Sequence, residues 1–338
     1  MHPELFEIPF IHLAIHSFGP MMVIGFLAGF FLVRRLGRTI TPNPQFITDL
    51  ALYALIPGVV GARAFYVVHH FDQFQSRLFS VFAVWQGGLE FYGGVIFAIP
   101  VIILYLRHYK LPIRRCLDVL AVGLMIGLVV GRIGCFLNGC CFGKPTQLPW
   151  AVRFPYGSFA YRSQIYWNPD RNRLQPQLIL PVEFSIYRSN ENGIPPQYLK
   201  PYEQLTQQQK DMVKNGAYRC LPVHPTQLYS SANAGLLCLI LYLFWRRSEK
   251  AAGSKNPKKL FAKPGLTFSL AFILYGITRF FLEHLRDDNP FEYAWWAIYK
   301  GATVSQNLGI YAIILGVVLM AILQKIDRKS LPSAETTK

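Results

Sequence analysis

The chain has 338 residues, 52% of them hydrophobic and only 15% charged. A soluble domain carries about 25% charged residues, so the composition excludes an ordinary water-soluble enzyme and makes lipid the solvent. The formal net charge of +16 would suit a nucleic-acid binder, but the basic residues flank apolar runs, and no nucleic-acid partner is expected.

In chain order, the N-terminal stretch MHPELFEIPFIHLAIHSF lacks a basic n-region and carries Glu4 and Glu7, so it does not read as a secretory leader. Seven segments then offer the roughly 20 mostly apolar residues that a membrane helix needs: 18–36, 47–68, 88–106, 117–138, 227–245, 265–285 and 302–323. The loop between the fourth and fifth, 139–224, is rich in Tyr, Pro and Asn. Its aromatic content is too high for a disordered linker, and it reads as a small folded head. LPWAVRF and LPVEFSIY alternate enough for short strands, and YEQLTQQQKDMVKNG reads as a polar helix stopped by Gly216. The expected fold is an all-α polytopic membrane protein: helices one to four over 1–138, a head over 139–224, helices five to seven over 225–325 and a tail over 326–338.

Loop charges orient these spans, because Lys and Arg gather on the cytoplasmic side. Arg34, Arg35 and Arg38 follow span one; Arg107, Lys110, Arg114 and Arg115 follow span three. Arg246, Arg247, Lys250, Lys255, Lys258, Lys259 and Lys263 follow span five, and Lys325, Arg328 and Lys329 follow span seven. The N-terminus and the head are therefore expected outside and the C-terminus inside. This is the pattern of a multi-pass membrane protein with its basic loops in the cytoplasm.

Ionisable residues within spans are costly and mark function or a buried pair. Here they are Arg63, Glu90, Arg132, Arg279, Glu283 and Arg286. At about 1.5 Å rise per residue, Arg132 and Arg279 each lie roughly 21–22 Å above the inner end of their spans. Arg63, Glu90 and Tyr92 fall in the outer halves of spans two and three, and His16 and His224 at the outer ends of spans one and five. One polar chamber open to the outer leaflet is expected. Tyr275, Arg279, Glu283 and Arg286 follow at i, i+4, i+8 and i+11, one face of a continuous helix. Pairing Arg279 with Glu283 leaves Arg132 and Arg286 as positive charge in a low-dielectric site. An uncompensated buried charge is expensive, so an anion is expected, and a guanidinium fits phosphate through two parallel hydrogen bonds.

Gly123, Gly127 and Gly131 recur every four residues, the small-residue pattern of close helix packing. The pairs Gly87–Gly88 and Gly93–Gly94 flank Glu90 and Tyr92 and point to irregular backbone beside a cavity. The six cysteines (Cys116, Cys135, Cys140, Cys141, Cys220 and Cys238) show no zinc-ligand spacing, and no metal is expected. Two states stay open for the external thiols: a bridge from Cys140 or Cys141 to Cys220, or free thiols.

The segment GRIGCFLNG (Gly131–Gly139) resembles the signature of the prolipoprotein diacylglyceryl transferase family, which reads roughly G-R-[IL]-G-N-F-[IL]-N-G. GARAFYVV (Gly61–Val68), VWQGGLEFYGG (Val84–Gly94), HPTQLY (His224–Tyr229) and YGITRFFLEHLR (Tyr275–Arg286) resemble further blocks of that family in the same order, and Ser305–Gln306 a polar pair in its last span. The resemblance implies transfer of the diacylglyceryl group of phosphatidylglycerol to the lipobox cysteine of a precursor lipoprotein held by its signal peptide, with release of glycerol phosphate and no cofactor. It implies Arg132 and Arg279 as the key arginines, Glu283 holding Arg279, and Arg286, Arg63, Glu90, Asn138 and Tyr275 around the phospholipid.

Three positions depart from the family pattern: Tyr92 replaces a histidine, Cys135 an asparagine and Phe18 a tyrosine. A thiol of pKa about 8.5 must lose its proton to attack. A phenol of pKa about 10 is a poor acceptor for it, so Tyr92 either positions lipid or is helped by arginines, with His224 and His16 as rival bases. Two other readings compete: an inactive relative that binds lipid or signal peptides, motivated by those departures, and an anion transporter. The inner halves of the spans carry almost no polar residues, which weighs against a transport path.

Overall fold

The computed structural model describes residues 4–8, 13–16, 18–41, 43, 45–75, 78–83, 88–187, 197–252 and 263–329. Strands β1 (Glu4–Ile8) and β2 (Leu13–His16) pair antiparallel. Helices α1 (Phe18–Gly37), α2 (Gln45–His69), α3 (Phe91–His108) and α4 (Ile113–Asn138) follow. Next come α5 (Phe159–Ile165), β3 (Ser185–Tyr187) antiparallel to β4 (Gln197–Leu199), and α6 (Gln207–Lys214). Helices α7 (Thr226–Ala252), α8 (Leu266–Glu283) and α9 (Val304–Lys329) complete the order.

Six of these helices are long and apolar enough to cross a membrane: α1, α2, α4, α7, α8 and α9. The chain is a mostly helical, multi-pass membrane protein. The third expected span is shorter than its sequence suggests, with an apolar helical run only over Tyr92–His108. Its first residues are not helical: Gly88 has φ +72°, and Glu90 is the extended N-cap of α3. The N-terminal hairpin was not expected from the sequence, because its two strands are too short for a clear alternation. The side chains of 4–16, His16 among them, lie outside the described residues, as do Gly87 and much of the basic stretch 253–262.

The chain divides into two compact units. One gathers Met1–Phe26, Met125–Leu241 and Ser269–Lys338; the other gathers Leu27–Leu124 and Tyr242–Phe268. Small residues let helices approach in both. In the first, a methyl on Gly276 of α8 would lie 2.5 Å from the Gly309 carbonyl of α9, and one on Gly25 of α1 3.0 Å from the Gly127 carbonyl of α4. In the second, a methyl on Gly29 would lie 2.9 Å from the Gly123 carbonyl, and one on Gly94 2.9 Å from that of Gly58. Packing without a hydrophobic drive depends on such contacts, so the glycine reading of α4 holds at Gly123 and Gly127, whereas a methyl on Gly131 would meet only Met22 Sδ at 3.7 Å. Within the second unit, Asp118 accepts from the Gly265 and Phe268 amides at 2.6 and 2.8 Å.

The segment between α4 and α7 is folded, with its own buried cluster of Phe142, Phe154, Ala160, Tyr161, Leu178, Cys220 and Val223. Phe184, Leu205 and Val213 form a second cluster. The polar helix begins later than its sequence suggests, at Gln207, where Thr206 and Gln209 close a capping box. Of the expected strands, SIY forms β3, whereas Val152 of LPWAVRF makes only an isolated bridge to Val223.

Candidate functional site

α8 carries two of the expected residues into one buried network. Arg279 Nη2 lies 2.8 Å from Glu283 Oε2 and donates to Ser305 Oγ at 2.8 Å. Glu283 is 1% exposed; besides Arg279 it accepts from Asn289 Nδ2 and from Thr303 Oγ1 at 3.2 Å. The expected Arg279–Glu283 pair is present, and Ser305 of the last span completes it.

Arg286 departs from expectation. α8 ends at Glu283, so Arg286 is not on a continuous helix face. It sits in the following turn, which bridges to Gly143. It is also compensated: Asp288 accepts from its Nε and Nη2 at 2.8 and 2.6 Å. The next carboxylate, Asp287, takes Arg173 Nη1 at 2.7 Å and Arg171 Nε at 3.7 Å. Arg171 also donates to the carbonyls of Arg286 and Asn289 at 2.7 and 3.0 Å. The adjacent acidic pair after Arg286 was the signal for this, and sequence reading passed over it because it lies beyond the apolar run.

Of Arg132, Arg279 and Arg286, the one without a carboxylate among the described residues is therefore Arg132, with Arg279 only partly satisfied. Among the described residues Arg132 has no ion-pair partner, and its Nη1 contacts Cys141 Sγ at 3.6 Å. Arg279 Nη1 is buried with no hydrogen-bond partner there. Arg132, Arg279 and Tyr275 line one small cleft together with Ser230, Asn233 and apolar side chains including Leu128 and Leu282. Asn233 was missed in the sequence although a lone amide in an apolar helix is a usable signal; it donates to Thr278 Oγ1 at 3.0 Å.

The signature segment closes on itself beside this cleft. Gly139 at φ +76° and Cys141 at φ +59° end α4 in a turn, and Cys140 N donates to the Cys135 carbonyl at 3.2 Å. The turn brings the thiols of Cys135, Cys140 and Cys141 within 4.8 Å of one another. Asn138 is the last residue of α4, at the start of this turn. The Cys141 thiol is held below its ordinary range by hydrogen bonds from Cys135 and Cys140 and by Arg286 and Arg132. The bridge to Cys220 is not formed: Cys220 is a buried free thiol bonded to Gln164 Oε1 at 3.4 Å. Chain spacing gave no metal-ligand set, yet the fold gathers three soft donors.

His224 precedes α7, its backbone paired with the same turn (Gly143 N to His224 O, 3.1 Å). Burial and Lys144 lower its pKa, so it is neutral at pH 7, and its Nδ1 lies 3.5 Å from the Tyr229 hydroxyl.

The other unit holds Arg63, Glu90 and Tyr92. Arg63 is 7% exposed. Its Nε, Nη1 and Nη2 donate to the carbonyls of Val81, Gly88 and Ser80 at 2.8, 3.0 and 2.6 Å. Glu90 pairs with His69 at 2.7 Å, and Tyr92 is half exposed.

Comparison with known proteins agrees with the motifs. The family model of prolipoprotein diacylglyceryl transferase matches residues 3–322. The phosphatidylglycerol–prolipoprotein diacylglyceryl transferase of Synechococcus elongatus is 27% identical over 315 residues, 93% of this chain and 85% of its own. Those of Finegoldia magna and Methylococcus capsulatus are 28% and 29% identical, covering 89% and 91% of this chain and 88% and 91% of their own. The chain belongs to the prolipoprotein diacylglyceryl transferase family.

Proposed function

We propose that this chain transfers the diacylglyceryl group of phosphatidylglycerol to the cysteine thiol of a precursor lipoprotein at the outer face of a bacterial cytoplasmic membrane. The observation that carries the reading is the under-satisfied pair of guanidiniums, Arg132 and Arg279, on one cleft. A phosphodiester bears one negative charge, and the departing glycerol phosphate bears two. Donors already oriented toward that growing charge, in a site shielded from water, favour the transition state over the bound lipid. Glu283 and Ser305 fix the Arg279 fork, Tyr275 lines the same cleft, and Asn138 ends the helix that carries Arg132. Arg286, neutralised by Asp288, lends field and holds the turn.

In this reading Arg63 and Glu90 organise the backbone before α3 and do not grip phosphate. Tyr92 contributes a hydrogen bond, and His224, beside the signature turn, is a neutral imidazole able to accept a proton. The chain spans the membrane seven times, with the N-terminus and 139–224 outside and the C-terminus inside. Helices one to four occupy 1–138, helices five to seven 225–325, and the tail 326–338. Loop charge supports this orientation. The short α3 counts as a span through tilt or local thinning of the bilayer.

The test is transfer in detergent from phosphatidylglycerol to a synthetic lipobox peptide, read by mass. A peptide heavier by one diacylglyceryl group, with equal release of glycerol phosphate, is expected. Binding of both substrates without transfer would identify an inactive relative. Reporters fused after Arg38, Lys110 and Lys255 should report cytoplasm, and one within 156–187 the outside.

A further inference from the structure

We propose that Cys135, Cys140 and Cys141 form a three-thiolate zinc site whose open fourth position takes the acceptor thiol. This rests on the transfer reading above and gives it a route to the acceptor thiolate that does not draw on His224. Three sulfurs around a zinc ion at about 2.3 Å each stand roughly 3.8 Å apart; these three already lie within 4.8 Å of one another, so side-chain rotation closes the shell. The turn that gathers them is tied down on both sides. Cys140 and Cys141 offer their carbonyls to Gln227 Nε2 and Thr226 Oγ1 at 2.7 Å each, which fixes the backbone and leaves the sulfurs to face one another.

Charge supports the same ion. Three thiolates and a divalent cation sum to one negative charge, and Arg132 Nη1 already contacts Cys141 Sγ at 3.6 Å. Zinc sites with three protein ligands keep a position for substrate, and a thiol bound there is deprotonated outright. The placement suits the reaction, since the sulfur cluster touches the arginine that holds the phosphate. On coordination the acceptor S–H gives its proton to water. The thiolate sulfur then forms a bond to the glyceryl CH₂, the CH₂–O bond to phosphate breaks, and its electron pair leaves on the glycerol phosphate. No electron acceptor is needed. The site also accounts for two departures from the family pattern together: Cys135 replaces the asparagine of the signature, and Tyr92 replaces a histidine that could have served as a base.

The test uses the full chain in detergent, reduced and then freed of reductant, titrated with Co²⁺ alone. Intense thiolate-to-cobalt absorption saturating near about one ion per chain is expected, displaced by Zn²⁺. Cys140→Ser and Cys135→Asn should each weaken binding at least about tenfold; the asparagine is the residue the family tolerates there, so the fold is kept. Cys220→Ser should bind as the parent does. Adding the lipobox peptide should shift the cobalt bands, and its Cys→Ser version should not. Absent bands, a Cys135–Cys140 disulfide in the intact mass, or unchanged binding by Cys135→Asn overturns the site. Full-rate transfer by chelator-stripped protein overturns its role while leaving the transfer reading intact. A peptide-dependent shift without any transfer sustains the site and sinks the transfer reading instead.

Discussion

Arg63 and Arg279 are both buried arginines within apolar helices, and they end in opposite states. Arg63 gives all three of its nitrogens to the carbonyls of Ser80, Val81 and Gly88. It also lies over the rings of Tyr66 and Phe74, 5.5 and 5.3 Å from their centroids. Arg279 shares one carboxylate and one hydroxyl, and keeps a buried nitrogen with no partner among the described residues. A buried donor without an acceptor costs about 1–3 kcal/mol; that cost is recovered only when an acceptor arrives. Burial alone therefore does not identify a ligand site; the balance of donors against acceptors does.

Breaking the comparison at its functional end should give the largest effect. Arg279→Ala and Arg132→Ala should each cut transfer by about 10³-fold or more, as removal of preorganised donors from a transition state does, with membrane insertion unchanged. Lysine should rescue poorly, since a point charge lacks the fork. Transfer rates come from the peptide assay.

At the structural end, Arg63→Ala should cost about 3 kcal/mol of stability through three carbonyls left without donors, read as a lowered thermal midpoint in detergent. Gly276→Ala should come next, at about 1–3 kcal/mol, because its methyl would push α9 away and stretch Arg279 from Ser305. Tyr92→Phe should slow transfer only about tenfold, the scale of one hydrogen bond, and Tyr92→His should be tolerated.

The smallest effect concerns pH. The His224 pKa is depressed by burial and by Lys144, so the ring stays neutral as pH falls through 6.5, the ordinary value. Any loss of rate from its protonation should begin below that pH and vanish in His224→Ala. An acid limb at or above the ordinary value that survives His224→Ala would assign it to another group.

Much of this was readable in the sequence, for reasons that differ by region. The six long helices declare themselves because lipid demands uninterrupted apolar length. Arg132, Arg279 and Glu283 stand out because charge within such a run is costly, and Ser305 only through the family resemblance. The fate of Arg286 was not readable, because its partner Asp288 follows the helix end and only the turn brings the two together. Nor was that of Arg63, whose acceptors are backbone carbonyls and leave no sequence signal. The cysteine cluster stayed hidden because a left-handed residue at Cys141 folds a five-residue spacing into contact, and ligand-spacing rules are written for other turns.

The central claim, that the under-satisfied arginines and not the satisfied one hold the phosphate, is tested most directly by one paired measurement. Transfer to the lipobox peptide is followed against phosphatidylglycerol concentration for Arg279→Lys and Arg63→Lys, each confirmed folded. Arg279→Lys should lose at least about a hundredfold in kcat/KM, and Arg63→Lys should stay within about fivefold of the parent. Equal losses in the two, or the larger loss in Arg63→Lys, would contradict it.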